Sequence, residues 1–135
     1  MTDPKPASDK PFGLSTISQI AVRVHDVTRA VAFYRDKLGL PFLFEAPGLA
    51  FFQVGDIMLM LSRPSAPEFD HPASILYFQV ADIDQAYRSL AGRGVPFQDQ
   101  PHAVHRAPDY ELWMTFFHDP DKNTMAIREV RKPRP

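Results

Sequence analysis

Apolar residues alternate with other residues at the start of the first patterned segment. Ile20, Val22 and Val24 fall on one side, and Gln19, Ala21 and Arg23 on the other. A two-residue period is that of a strand with one buried face. The period then changes to a helical one, with Val27, Val31, Tyr34 and Leu38 on one stripe. Asp26 stands where a side chain can accept a free N–H at the helix start, and Gly39 stands where the chain leaves the helix. Two apolar runs, LAFFQV and IMLML, then flank Gly55-Asp56. Gly first in a two-residue connection signals a type II′ hairpin, which sets Phe51 opposite Met60 and Gln53 opposite Met58.

The same order returns in the second half. SILYFQVADI reads as a strand, and Asp82 caps a helix with Ile83, Ala86, Tyr87 and Leu90 on one face, closed by Gly92 and Gly94. ELWMTFFH and TMAIREV form a hairpin around DPDKN. This turn suits a type I geometry with Lys122 left-handed and a following bulge, which sets Phe116 opposite Ala126 and His118 opposite Thr124. A lysine there costs about 1 kcal/mol relative to glycine. Val24 and Val80, Asp26 and Asp82, and Ala30 and Ala86 are each 56 positions apart, whereas Met60 and Ala126 are 66 apart. The second module therefore carries ten extra residues within about 98–111. That insert, QDQPHAVHRAPDYE, is expected to reach over a cavity mouth. The pattern predicts an α+β domain over residues 15–131, with modules over about 16–64 and 73–130. A mobile Pro-rich tail is expected over residues 1–14, and the terminal RKPRP reads the same way.

If Ile20, Val22 and Val24 meet the helix, then Gln19 and Arg23 look to the opposite, concave side. Ile75, Tyr77 and Gln79 occupy the matching places in the second module. The hairpins add Phe51, Met58, Met60, Leu112, Met114, Phe116 and Ala126 to that side, with Arg128 as a further polar group. Trp113 and Phe117 fall to the helix side as core.

Composition narrows the picture. The chain has 135 residues, 44% of them hydrophobic and 11 of them Phe, enough for one domain with a core. A net charge of −1 gives no footprint for nucleic acid or an anionic membrane. No apolar run is long enough to span a bilayer, and the N-terminus lacks the order of a signal peptide. There is no cysteine, hence no disulfide framework and no thiolate zinc site. A soluble, cytoplasmic protein is expected. Nothing resembles a Gly-rich phosphate loop or an activated serine, so kinase and hydrolase readings have no support.

The runs ISQIAVRVHDVTRAVAFYRDKLGLPF, AFFQVGDIMLMLSRP, LYFQVADIDQAYRSLAGRGVPF and FFHDPDKNTMAI resemble the vicinal oxygen chelate superfamily, the glyoxalase, bleomycin-resistance and dioxygenase fold. The resemblance covers about residues 16–130. It implies two tandem βαβββ modules forming an eight-stranded, cup-shaped mixed sheet with helices outside, often as a homodimer. It also implies a divalent metal held by one side chain on each of four cup strands. Carried over residue by residue, those positions are Gln19, Met60, Ile75 and Ala126. Glutamine is known at the first of these among glyoxalase enzymes, and Arg23 resembles an arginine that those enzymes set on an anionic substrate. Met60 and Ala126 stand where Glu is expected, and Ile75 where His is expected. Thioether, branched alkyl and methyl groups offer neither the oxygen nor the imidazole that such ions require, so no metal or other cofactor is expected there.

The favoured expectation is a metal-free binding protein that holds an apolar or aromatic small molecule with an anionic group. Gln19, Arg23, Phe51, Met58, Met60, Ile75, Tyr77, Gln79, Met114, Phe116, Ala126 and Arg128 would line the cup. For the methionines and aromatics, plain hydrophobic fill is the competing reading, and for the arginines, surface ion pairs. The alternative function is a lyase, isomerase or dioxygenase. It would draw acid–base chemistry from His102, His105 and Glu111 in the insert, or a displaced metal site from the same three. A third reading makes dimerisation the main event.

Overall fold

The computed structural model describes residues 11–132. The expected tail thus lies outside the described residues over its first ten positions. Residues 11–18 are exposed and carry no regular structure. Eight strands and two main helices follow. The first module comprises β1 (Gln19–Arg23), α1 (Val27–Val31), β2 (Phe42–Ala46), β3 (Leu49–Val54) and β4 (Ile57–Ser62). The second comprises β5 (Leu76–Gln79), α2 (Ile83–Gly92), β6 (His102–Arg106), β7 (Glu111–His118) and β8 (Thr124–Arg131). The strands make two four-stranded mixed sheets, in the orders β1-β4-β3-β2 and β5-β8-β7-β6. The first strand of each module pairs in parallel with its last, and the other pairings are antiparallel.

Local chemistry explains the element starts and turns. The Asp26 carboxylate accepts from the Arg29 N–H, and that of Asp82 from the N–H groups of Asp84 and Gln85. Gly55 takes φ +60°, as the tight hairpin requires, and Phe51 pairs with Met60. Lys122 takes φ +65°, and Phe116 pairs with Ala126.

Two elements depart from expectation. The single helix expected from Val27 to Leu38 is α-helical only to Val31 and continues as a π-helical turn over Ala32–Lys37. The Leu38 N–H reaches back five residues to the Phe33 carbonyl. A π-turn absorbs one extra residue, and the chain shows it: Asp26 and Gly39 are 13 positions apart, Asp82 and Gly94 only 12.

The insert also differs from the expected flap. Phe97 first bridges to Phe117, as Phe42 pairs with Phe52 in the first module. The chain then loops outward at Asp99, which accepts from the Thr115 hydroxyl at 2.6 Å and the Phe116 N–H at 3.1 Å. It returns to β7 as β6, the edge strand of the second sheet as β2 is of the first, with one side of its backbone paired in a ladder.

Each helix packs on the sheet of its own module. Val22, Val24, Phe52, Leu59, Phe117 and Met125 are buried in one core that runs through both modules. The modules are also joined by the DPDKN turn. The Tyr34 hydroxyl donates to Asp119 Oδ2 at 2.7 Å, and Asn123 Nδ2 donates to the Arg23 carbonyl at 3.0 Å. The Arg29 guanidinium and the His25 N–H both donate to Asp121 Oδ1. Burial, reinforced by the Asp119 carboxylate, raises the Tyr34 hydroxyl well above its ordinary pKa, so it stays a neutral donor.

Candidate functional site

Strand alternation places Gln19 and Arg23 of β1 on the face of the first sheet away from α1. Phe51 of β3 and Met58 and Met60 of β4 share that face, because directly opposed residues point the same way. Gln19 Nε2 lies 3.7 Å from Met60 Sδ, and the Phe44 and Phe51 rings meet with centroids 4.9 Å apart. Across one end of this face runs the connection between β4 and β5. It borders a half-open cavity of about 360 Å³ with walls from Ala21, Arg23, Met60 and Ser62 on the sheet, and from Phe69 and His71 on the connection. That volume lies within the range of small-molecule sites. A wider depression of about 720 Å³ adjoins the start of α1 and the β2–β3 turn, but it is shallow and open to solvent.

Arg23 is the polar anchor of the cavity. Its side chain is only 15% exposed. Nη2 donates to the Asp121 carbonyl at 3.2 Å and Nη1 to the Asp70 carboxylate at 3.2 Å, while Nε is buried with no partner. Met60 and Phe69 supply apolar wall beside it. In the sequence pattern, residues 63–73 form only a Pro-rich link, yet they contribute Arg63, Phe69 and His71 to the site. The signal available is chemical: an arginine, an aromatic, a carboxylate and a histidine crowd into one turn-rich stretch.

The second sheet carries the other predicted residues. Tyr77, Gln79, Met114, Phe116, Ala126 and Arg128 share its face away from α2, and Ile75 lies just before β5. The Tyr77 and Phe116 rings meet edge to face at 6.0 Å, and Ala126 between them is fully buried. Arg128 donates to Gln79 Oε1 at 3.2 Å. The cavity that Met60 borders has neither Phe116 nor Ala126 in its walls.

His102 and His105 sit opposite Met114 and Leu112, hence on that same face, and both are exposed. Glu111 is parted from them. It pairs with Arg106 and accepts from the Trp113 indole at 2.9 Å, on the helix side of the sheet. The hydrogen bond from Trp113, helped by Arg106 against the opposing effect of burial, holds the Glu111 carboxyl below its usual range. The displaced set of His102, His105 and Glu111 is therefore not assembled: strand alternation turns the carboxylate to the other face. Among the described residues, no three His, Asp or Glu side chains converge as metal donors. At the family's four positions, Gln19 contributes one neutral amide, and Met60, Ile75 and Ala126 contribute no hard donor, so these residues do not fit a divalent ion.

Two tandem βαβββ modules with this strand order define a class, the glyoxalase-type α+β proteins. The chain belongs to the Glyoxalase/Bleomycin resistance protein/Dioxygenase superfamily, whose family model matches residues 16–127. It is 31% identical over 129 residues to the uncharacterized protein YraH of Bacillus subtilis, covering 83% of this chain and 96% of that one. Its fold is similar to a lactoylglutathione lyase from Agrobacterium tumefaciens, at 27% identity and TM-score 0.67, over 87% of this chain and 95% of that one. It is also similar to a superfamily member from Sphaerobacter thermophilus, at 25% identity and TM-score 0.70, over 86% and 98% of the two chains. No helix among the described residues is long and apolar enough to cross a membrane.

Proposed function

We propose that the protein binds a small organic molecule without a metal, holding an apolar or aromatic body beside an anionic group. The observation that carries this reading is the half-open cavity at Arg23, where a largely buried guanidinium meets the apolar walls of Met60 and Phe69. A guanidinium fixed by the backbone is pre-organised for a carboxylate or phosphate. A thioether adapts to the shape of a flat ligand. Thermal-shift screening against a panel of aromatic carboxylates, sulfonates and phosphates tests the reading. Stabilisation that Arg23→Gln abolishes is expected, and silence across the panel overturns it. Elemental analysis of the purified protein tests the metal-free part. Stoichiometric nickel, zinc, iron or manganese overturns that part.

We also propose a homodimer. Phe44, Ile75, Tyr77 and Val130 are each more than 40% exposed in one chain, and a second copy would cover them. Sedimentation at micromolar concentration tests this, and a monomer overturns it.

The likeness to a lactoylglutathione lyase supports a second reading, an enzyme using His102 or His105 as acid or base. Formation of lactoylglutathione that is lost in His102→Gln or His105→Gln would establish it over the first.

A further inference from the structure

The connection beside the cavity brings an anion to Arg23 from an adjoining depression lined by His25, Arg63 and Asp70. Asp70 Oδ1 accepts from Arg23 Nη1 at 3.2 Å and lies 2.9 Å from His25 Nε2. The hydrogen bond from His25, joined by that from Arg23 and opposed by burial, holds the Asp70 carboxyl below the usual carboxylate range, so it is ionised near neutrality. The two partners differ in freedom. Arg23 is 15% exposed and fixed from behind by the Asp121 carbonyl, whereas the Asp70 side chain is 44% exposed. The carboxylate can leave while the guanidinium stays.

The connection is also tied in a way that permits movement. The Arg63 N–H donates to the Gly48 carbonyl at 2.9 Å, and the Ala73 N–H donates to Asn123 Oδ1 at 3.0 Å. Between these ends, the bonds of Phe69 and Asp70 N–H groups are local, to Ala66 and Pro67. Among the described residues, the Asp70 carboxylate makes the hydrogen bonds that tie the middle of the connection to the body of the protein.

We propose that Asp70 is a resident competitor that occupies the anion place on Arg23 until a ligand's own anionic group displaces it and lifts the connection. The inference rests on the binding reading above and sharpens the ligand class. An aromatic or apolar monoanion competes with Asp70, whereas a neutral molecule of the same shape does not. The apolar body then rests on Met60 and Phe69, and the anion takes Arg23 Nη1.

The test uses two fluorescent probes with the same aromatic body, 8-anilinonaphthalene-1-sulfonate and neutral N-phenyl-1-naphthylamine, titrated into the full-length protein. Asp70→Asn keeps the side-chain size and removes the charge, and Asp70→Ser is a second neutral variant. Both are expected to tighten sulfonate binding about three- to fivefold, the scale of a partly exposed ion pair. The neutral probe is expected to shift less than twofold. Adding Arg23→Lys to Asp70→Asn is expected to remove the gain. Tightening of both probes alike, or of neither, overturns the competitor role while leaving the binding reading standing. Failure of both probes to bind any variant overturns the binding reading, and the competitor role with it.

Discussion

The two modules share a backbone plan but treat the same sheet position differently. Met60 and Ala126 are equivalent, each on its module's last strand and each opposite a phenylalanine, Phe51 or Phe116. In the first module Met60 is half-buried and borders a half-open cavity beside the connection to the next module. In the second module Ala126 is fully buried, with Tyr77 and Phe116 closing over it edge to face. One face leaves open volume beside its last strand, and on the other face aromatic rings cover the equivalent position. The repeat thus preserves the hydrogen-bonded frame while the use of each face is set by a few side chains. The family's four donor positions meet this asymmetry directly, because restoring a carboxylate needs space on both sheets.

The largest expected effect follows from that difference. Ala126→Glu forces a charged group of larger volume into a filled, unpaired site and should cost about 3–5 kcal/mol. Met60→Glu places the same group beside an open cavity and should cost under about 1 kcal/mol. Urea denaturation of the two variants measures both. Equal costs would mean that the second face is not filled as described. Met60→Glu, Ile75→His and Ala126→Glu together should create divalent-metal affinity, as the family's donor set implies, only to the extent that Tyr77 and Phe116 give way, which equilibrium dialysis with zinc would measure.

A middling effect is expected where the modules are joined. Tyr34 belongs to the π-turn of the first module, and Asp119 to the last hairpin of the second. Tyr34→Phe removes a buried donor to a carboxylate and should cost about 1.5–3 kcal/mol. The pH dependence has a definite sign. Burial raises the Tyr34 pKa above its ordinary 10.0, so its contribution is complete below about 10 and is lost as the pH rises toward the folded value. The stability gap between the parent and Tyr34→Phe should narrow above pH 10, as urea melts across pH 8–11 would show. A constant gap would mean that the hydroxyl is not the group that matters.

How far these features are legible in the chain depends on how locally each is encoded. Hairpin registers follow from two or three turn residues, which is why Phe51 with Met60 and Phe116 with Ala126 can be read directly. The N-caps at Asp26 and Asp82 are equally local. The π-turn is not, because one added residue barely disturbs a helical stripe; it shows only in the 13- against 12-residue spacing of cap and glycine. Strand β6 is hidden for another reason. HAVHR is polar or exposed on both sides at a sheet edge and has no apolar alternation. The cavity is the least legible feature. Half of it comes from residues 63–73, whose prolines remove any period, and their place over Arg23 is a tertiary fact.

The smallest effect concerns the two hairpin turns. The first module gives its left-handed position to Gly55 at φ +60°, and the second gives the equivalent strain to Lys122 at φ +65°. A side chain at positive φ costs about 1 kcal/mol that glycine avoids, less the greater freedom glycine has when unfolded. Lys122 is exposed, and its N–H still donates to the Asp119 carbonyl at 3.0 Å whatever the side chain. The buried Asp119, Asp121 and Asn123 around it hold the turn in place, so the strain persists there without opening the hairpin. Lys122→Gly should therefore raise stability by about 0.5–1 kcal/mol, a gain of a few degrees in Tm. Gly55→Lys, the mirror substitution, should lower stability by a similar amount. If Lys122→Gly instead lowers the Tm, the charge or stem of that lysine stabilises the turn by more than its backbone strain costs, and the two hairpins differ in chemistry as well as in length.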